Sequence, residues 1–267
     1  MISVLLTSSV ELEAQLPRLT SGALQHLAEV TSPGDQEAAS AKRDPVDQRR
    51  ALTARAALRL IAAAHRGDRL QDAARLGIRR SCQQCGGPHG RPELHGVSLS
   101  SSSSARHVLA GAAAPGQQVG VDLEAIPERL SPGFEEYALH RAERAALRRL
   151  SPDFRNQSLI ESWVLKEAVL KAAGVGLNHP PAELLLGARN LDARNLDAQN
   201  LGSRDTGTRW HGRAGSERLR WAPVTETTDA RVQGLWGCLM PAPPGYAAAL
   251  AARTPEEITD ITASWGA

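Results

Sequence analysis

Hydrophobic and polar positions alternate with two different periods along this chain, and the switches between them mark its elements. Ile2 to Leu6 is a short apolar run that reads as a strand. From Asp47 to about His65, the apolar positions Leu52, Ala56, Leu58, Leu60 and Ile61 predict a helix, with Gly67 as its C-terminal stop. This helix is rich in arginine (Arg49, Arg50, Arg55, Arg59). A loop containing Gly, Pro and His follows over Gly86 to Pro92. Val97 to Leu99 begins a strand that runs into five serines, Ser100 to Ser104. His107 to Ala112 and Gln118 to Leu123 predict two more strands around a turn at Pro115-Gly116. The second half opens with helices over 132–139 and 141–150. A long helix then runs from Pro152 to Ala173, with Ser151-Pro152-Asp153 as its start signal and Gly174 as its stop. Short strands bounded by Gly and Pro are expected near 183–187, 217–222, 232–239 and 246–252.

One stretch breaks the pattern. Ala188-Arg189-Asn190-Leu191-Asp192 recurs identically at 193–197 and nearly so at 198–202. A five-residue period is the mark of pentapeptide solenoids, but three copies complete no four-sided coil and have no neighbours to bury a face. The stretch reads as an expanded loop.

Candidate chemistry lies in two short segments. Asp122 and Glu124 stand two apart in Gly120-Val121-Asp122-Leu123-Glu124, a strand-like stretch, so their side chains share one face about 6.5–7 Å apart. About forty residues on, Trp163-Val164-Leu165-Lys166-Glu167-Ala168-Val169-Leu170-Lys171 is helical, with Glu167 and Lys171 one turn apart on a single stripe. Each pattern alone is ordinary: a solvated strand face, a surface salt-bridge ladder. Together they set charges at the margins of apolar stripes, which burial penalises without a purpose. Three carboxylates are hard oxygen ligands that suit Mg²⁺ bound to a phosphate, and adjacent ammonium groups would neutralise phosphate oxygens. Of 31 basic residues, only Lys42, Lys166 and Lys171 are lysines, so two of three fall in this one segment. The expected substrate is a phosphate ester or pyrophosphate.

Composition narrows the remaining classes. At 267 residues the chain can bury a substantial core, and with 3% aromatics that core must be mainly Leu, Ala and Val. A net charge of +2 argues against nucleic acid as a partner. No apolar run reaches the roughly 18 residues of a membrane span. Met1 to Leu6 lacks a basic segment and is followed by Glu11 and Glu13, so no signal peptide is read. Three cysteines, an odd number, fit a reducing cytoplasm. Cys82 and Cys85, with His89 or His95, would make half a zinc site; no second CxxC exists, and two thiols beside a Gly-rich loop is the simpler reading.

The paired motif Gly-Val-Asp-Leu-Glu … Trp-Val-Leu-Lys-Glu-Ala-Val-Leu-Lys resembles the signature of the 4′-phosphopantetheinyl transferases. Length and a matching first half resemble the larger monomeric, surfactin-synthetase-activating type. In family order fall the Asp47-Gln48-Arg49-Arg50-Ala51-Leu52 helix, the Gly90-Arg91-Pro92 loop, the Val97-Ser98-Leu99-Ser100 strand, both signature motifs and the tail from Pro244-Gly245-Tyr246. The resemblance implies an α+β fold, a pseudo-twofold tandem of two similar α/β subdomains, residues 1–115 on the nucleotide side and 116–267 carrying the catalytic motifs, with a repeat-containing loop at about 188–207. It implies transfer of 4′-phosphopantetheine from coenzyme A to a serine of an acyl or peptidyl carrier protein. Asp122, Glu124 and Glu167 would hold Mg²⁺. Glu167 would also take the serine proton, and Lys171 would stabilise the leaving phosphate with Lys166 beside it. Arg50, Arg91, Ser100 and Ser101 would contact coenzyme A. The chain would be a cytoplasmic monomer. Two departures stand out. Ser101 falls where the family has a histidine for the 3′-phosphate, with His107 as a second candidate. Asp35 and Ala38 fall where basic residues are common, with Lys42 and Arg43 nearby. A non-catalytic homologue that binds coenzyme A or carrier protein as a scaffold is the alternative.

Overall fold

The computed structural model describes residues 1–81, 86–87, 90–187, 207–212 and 215–262. The Cys82–Cys85 pair and the repeat at 188–202 lie outside the described residues. Strand β1 (Ile2–Ser8) leads into helix α1 (Ser9–Leu19). The sequence reading missed this helix; its start is a reciprocal cap, in which Glu11 N–H donates to Ser8 Oγ and Ser8 N–H donates to the Glu11 carboxylate. Short helices α2 (Leu27–Val30) and α3 (Pro33–Ser40) precede the long α4 (Pro45–Arg66). Strands β2 (Arg79–Arg80), β3 (Pro92–Leu94), β4 (Val97–Ser104) and β5 (His107–Ala113) close the first half.

The second half repeats this plan. Strand β6 (Val119–Ala125) is followed by α5 (Phe134–Ala138), α6 (Arg141–Leu147) and the long α7 (Pro152–Ala173). Then come β7 (Leu185–Leu186), β8 (Gly207–Gly212), β9 (Gly215–Glu226), β10 (Trp236–Met240), β11 (Tyr246–Ala252) and β12 (Ile258–Asp260). The expected strand over 232–239 begins only at Trp236, because Val232 to Leu235 form a hydrogen-bonded turn.

The strand order shows the duplication. In the first half β3, β4, β5 and β1 are successive antiparallel neighbours; in the second, β9, β10, β11 and β6 are. Each half lays one 22-residue helix on its strands, α4 in the first and α7 in the second. Both helices have proline in the first turn and end on a glycine with left-handed backbone, Gly67 at φ 76 and Gly174 at φ 73. A residue with a Cβ is disfavoured there, so glycine at the stop is a local requirement. The halves are linked by β12, which runs parallel to both β1 and β8.

Three apolar clusters follow. One lies under α4 and contains Leu12, Leu58, Ile61, Val97 and Leu99. A second lies under α7 and contains Leu159, Val164, Leu165 and Val169. The third lies between the halves, where Ile2, Val4 and Leu109 from the first meet Val119, Val121, Leu123 and Leu250 from the second. On β6 the odd-numbered residues therefore face this shared core. The even-numbered residues, Gly120, Asp122 and Glu124, face the other way, as the two-residue period of a strand requires.

Candidate active site

Gly120 makes the site possible. A Cβ at this position would lie 1.9 Å from the Ala168 carbonyl oxygen and 2.5 Å from the Ala172 amide nitrogen. Only a residue without a side chain lets the α7 backbone rest on β6. That contact sets Glu167 and Lys171 against the next two residues on the same strand face, Asp122 and Glu124.

Lys171 Nζ donates to Asp122 Oδ1 at 2.5 Å and to Ser102 Oγ at 3.1 Å. Asp122 is 1% exposed and Glu167 9%. Glu167 has its carboxyl pushed up to about 7, first by burial and then by the negative charge of Asp122, with Glu124 adding to this and Lys171 opposing. Glu124 is also raised, mainly by burial, against a hydrogen bond from Ser104 and the positive charges of Lys171 and Arg50. These mutual effects mark one electrostatic cluster. Asp122 Oδ2 and Glu167 Oε1 are buried and have no hydrogen-bond partner.

Buried carboxylate oxygens without donors fit a hard cation, which supplies positive charge where no N–H or O–H does. Among the described residues, no group of three or more His, Cys, Asp or Glu side chains is already gathered closely enough to hold a metal ion. The donors present are the two orphaned oxygens, with Glu124 beside them, a partial set that would suit an ion keeping waters or taking ligands from a phosphate. Lys171 already offsets part of the negative charge.

The serine run is a continuation of β4. Side chains at alternate positions face β6: Ser100 Oγ accepts from Val121 N–H at 3.0 Å, and Ser104 Oγ accepts from Ala125 N–H at 3.0 Å. Ser102 Oγ donates to Asp122 Oδ1 and Ser104 Oγ to Glu124 Oε2, both at 2.7 Å. Ser101 points to the opposite face, where Arg80 donates to its Oγ at 3.3 Å. Burial, and then the like charge of Arg55, push the Arg80 guanidinium down to about 10.

Of the sequence-expected residues, Asp122, Glu124, Glu167 and Lys171 are brought together, and Ser100 lies at their edge. Arg50 stands close enough to Glu124 to influence it, paired with Asp47 at 2.8 Å and donating to Ala105 O. Arg91 sits at the far end of α7, with its guanidinium 3.2 Å from where a Cβ on Gly174 would be. Its positive charge complements the C-terminal end of that helix.

Lys166 is not part of the cluster. It is 0% exposed, and its Nζ donates to Ala138 O and Pro181 O, each at 2.9 Å, and pairs with Glu143 at 2.5 Å. Adjacent helical positions point about 100° apart, so Lys166 turns into the core as Glu167 turns to β6. The expectation that it stands beside Lys171 is corrected by that geometry. His107 packs edge-on against Tyr246, centroids 4.6 Å apart, at the end of the β4–β5 hairpin. Asp35 caps α3 and binds Arg59 at 2.5 Å, and Lys42 and Arg43 are exposed.

Sequence reasoning missed Ser102, Ser104 and Arg80. The two serines carried a signal in their i, i+2 spacing with Ser100; Arg80 carried none. No membrane-spanning helix is present among the described residues.

Residues 118–225 match the family described as the 4′-phosphopantetheinyl transferase superfamily, a segment that includes β6 and α7. No curated protein sequence matches the chain. Among solved structures, the holo-[acyl-carrier-protein] synthase of Thermotoga maritima is similar at 19% identity with a TM-score of 0.32, over 51% of this chain. The match spans 61% of that synthase's length. Gly120, Asp122, Glu124, Glu167 and Lys171 all lie inside the segment that matches the 4′-phosphopantetheinyl transferase superfamily.

Proposed function

We propose that this chain transfers the 4′-phosphopantetheine group of coenzyme A to a serine hydroxyl of an acyl or peptidyl carrier protein. The reading is carried by one observation: within the family-matched segment, three carboxylates converge around Lys171 with two buried oxygens lacking any donor. In the reaction, the carrier serine oxygen attacks the phosphorus that bears pantetheine. The bond from that phosphorus to the bridging oxygen breaks, and adenosine 3′,5′-bisphosphate leaves with the bond's electrons.

Each residue has a defined part. The Glu167 carboxylate accepts the serine proton; a carboxyl raised to about 7 is well matched to that task near neutral pH. Lys171 neutralises the pyrophosphate and then the leaving phosphate, where charge compensation and positioning supply most of the rate. Arg50 and Arg91 lie outside the carboxylates and are assigned to the nucleotide phosphates. Asp122, Glu124 and Glu167 would hold Mg²⁺, which supplies Lewis-acid polarisation of the phosphoryl oxygens. The larger monomeric type and a pathway making polyketides or non-ribosomal peptides belong to the same proposal.

The test is incubation with coenzyme A, Mg²⁺ and apo carrier proteins, followed by mass spectrometry. A gain of one phosphopantetheine is expected. Glu167→Ala and Asp122→Ala should abolish it while keeping a native circular dichroism spectrum. Absence of any gain across several carriers, with folded native protein, would favour the scaffold reading, to which the serine at position 101 lends support.

A further inference from the structure

The hydroxyls of Ser102 and Ser104 each accept one hydrogen bond and donate another. Lys171 Nζ can only donate to Ser102 Oγ, so the Ser102 hydroxyl proton is committed to Asp122 Oδ1. The Ala125 amide can only donate to Ser104 Oγ, so the Ser104 proton is committed to Glu124 Oε2. Each serine fixes one oxygen of a carboxylate and thereby turns the other. For Asp122 the second oxygen, Oδ2, is the one left buried without a partner.

Both serines come from β4 of the first half, and both carboxylates from β6 of the second. β4 and β6 are not hydrogen-bonded neighbours in the sheet order. The serines replace ladder bonds with side-chain bonds, and that leaves room between the strands for polar groups. A run of five small hydroxyl residues fits this role. Even positions reach β6, while Ser101 faces Arg80 and odd Val97 and Leu99 pack into the α4 core.

We infer that Ser102 and Ser104 are positioning residues that aim the free carboxylate oxygens of Asp122 and Glu124 at a divalent cation. This rests on the transferase reading for the cation's use, but the aiming itself has its own readout. Groups that orient metal ligands by hydrogen bonding typically contribute 10–100-fold in affinity or activity.

The experiment is Mn²⁺ titration of the full chain without coenzyme A, followed by electron paramagnetic resonance of free Mn²⁺. Native protein, Ser102→Ala, Ser104→Ala, Ser102→Thr and Ser103→Ala are compared, with thermal unfolding of each. Ser102→Ala and Ser104→Ala should weaken Mn²⁺ at least about tenfold while unfolding cooperatively. Ser102→Thr, which keeps the hydroxyl, should recover most of that loss. Ser103→Ala, on the other face of the strand, should bind as native. Where transfer is active, kcat should fall in the alanine variants with KM for the carrier unchanged. Native-like Mn²⁺ affinity in both alanine variants, or no Mn²⁺ binding by native protein, overturns the inference. Serine-dependent Mn²⁺ binding in a protein that transfers nothing would keep the inference and overturn the transferase reading.

Discussion

Two neighbouring residues on α7 carry opposite duties. Glu167 faces β6 with its carboxyl raised beside Asp122; Lys166 is sealed in the core. An ammonium group there is tolerated because two carbonyls and Glu143 satisfy its donors. Removing one partner of such a buried pair leaves the other charge stranded. Lys166→Ala should therefore lower stability by about 3–5 kcal/mol in urea unfolding. Variant protein kept folded in the cold should retain native KM for coenzyme A; a raised KM with unchanged stability would return Lys166 to the phosphate site. Helical phase made part of this legible in advance, since positions 166 and 167 cannot share a stripe. What the sequence could not disclose was the destination of a long flexible side chain, which depends on loop carbonyls at Ala138 and Pro181. Asp122 and Glu124 were legible because a strand's alternation depends on local geometry alone.

At the scale of elements, Gly120 decides how closely α7 approaches β6. Gly120→Ala would drive a Cβ into backbone atoms that have no freedom to yield. Overpacking of this kind costs about 1–3 kcal/mol or more, and because the strain falls directly under Glu167, transfer should fall further than stability does. Equal activity in Gly120→Ala, measured per mole of folded protein, would show that the helix can shift without disturbing the site. The α3–α4 contact supports a separate test. Burial works to raise the Asp35 carboxyl, but the hydrogen bond and charge of Arg59, with Ser32, outweigh it and hold the carboxyl below its usual value. A lowered folded value means the stabilisation is present at neutral pH and lost as pH falls through it. Asp35→Asn should thus be about 3 kcal/mol less stable than native at pH 7, with the gap closing toward pH 3 in urea titrations. A gap independent of pH would assign the loss to packing. Both long helices were legible through their proline starts and glycine stops. Strand β4 beyond Leu99 was not, because a serine run has no apolar alternation to read, and its extension follows from pairing with β5.

The molecule as a whole is two copies of one plan with a common interior. Ile2, Val4 and Leu109 bury themselves against Val121, Leu123 and Leu250, and β12 returns from the C-terminal side to pair with β1. Residues 1–115 expressed alone should therefore expose an apolar sheet face and unfold without a cooperative transition by circular dichroism. Cooperative unfolding of that fragment would show that the shared interior is dispensable.

The seclusion of Lys166 has a practical consequence. Besides the N-terminal amine, only Lys42, in an exposed turn, and Lys171, whose side chain is 29% exposed, are open to an acylating reagent. Chemical labelling of the native chain is thus a three-site map. The exposed Lys42 serves as an internal reference; the mark on Lys171 reports whether an anion shields the centre.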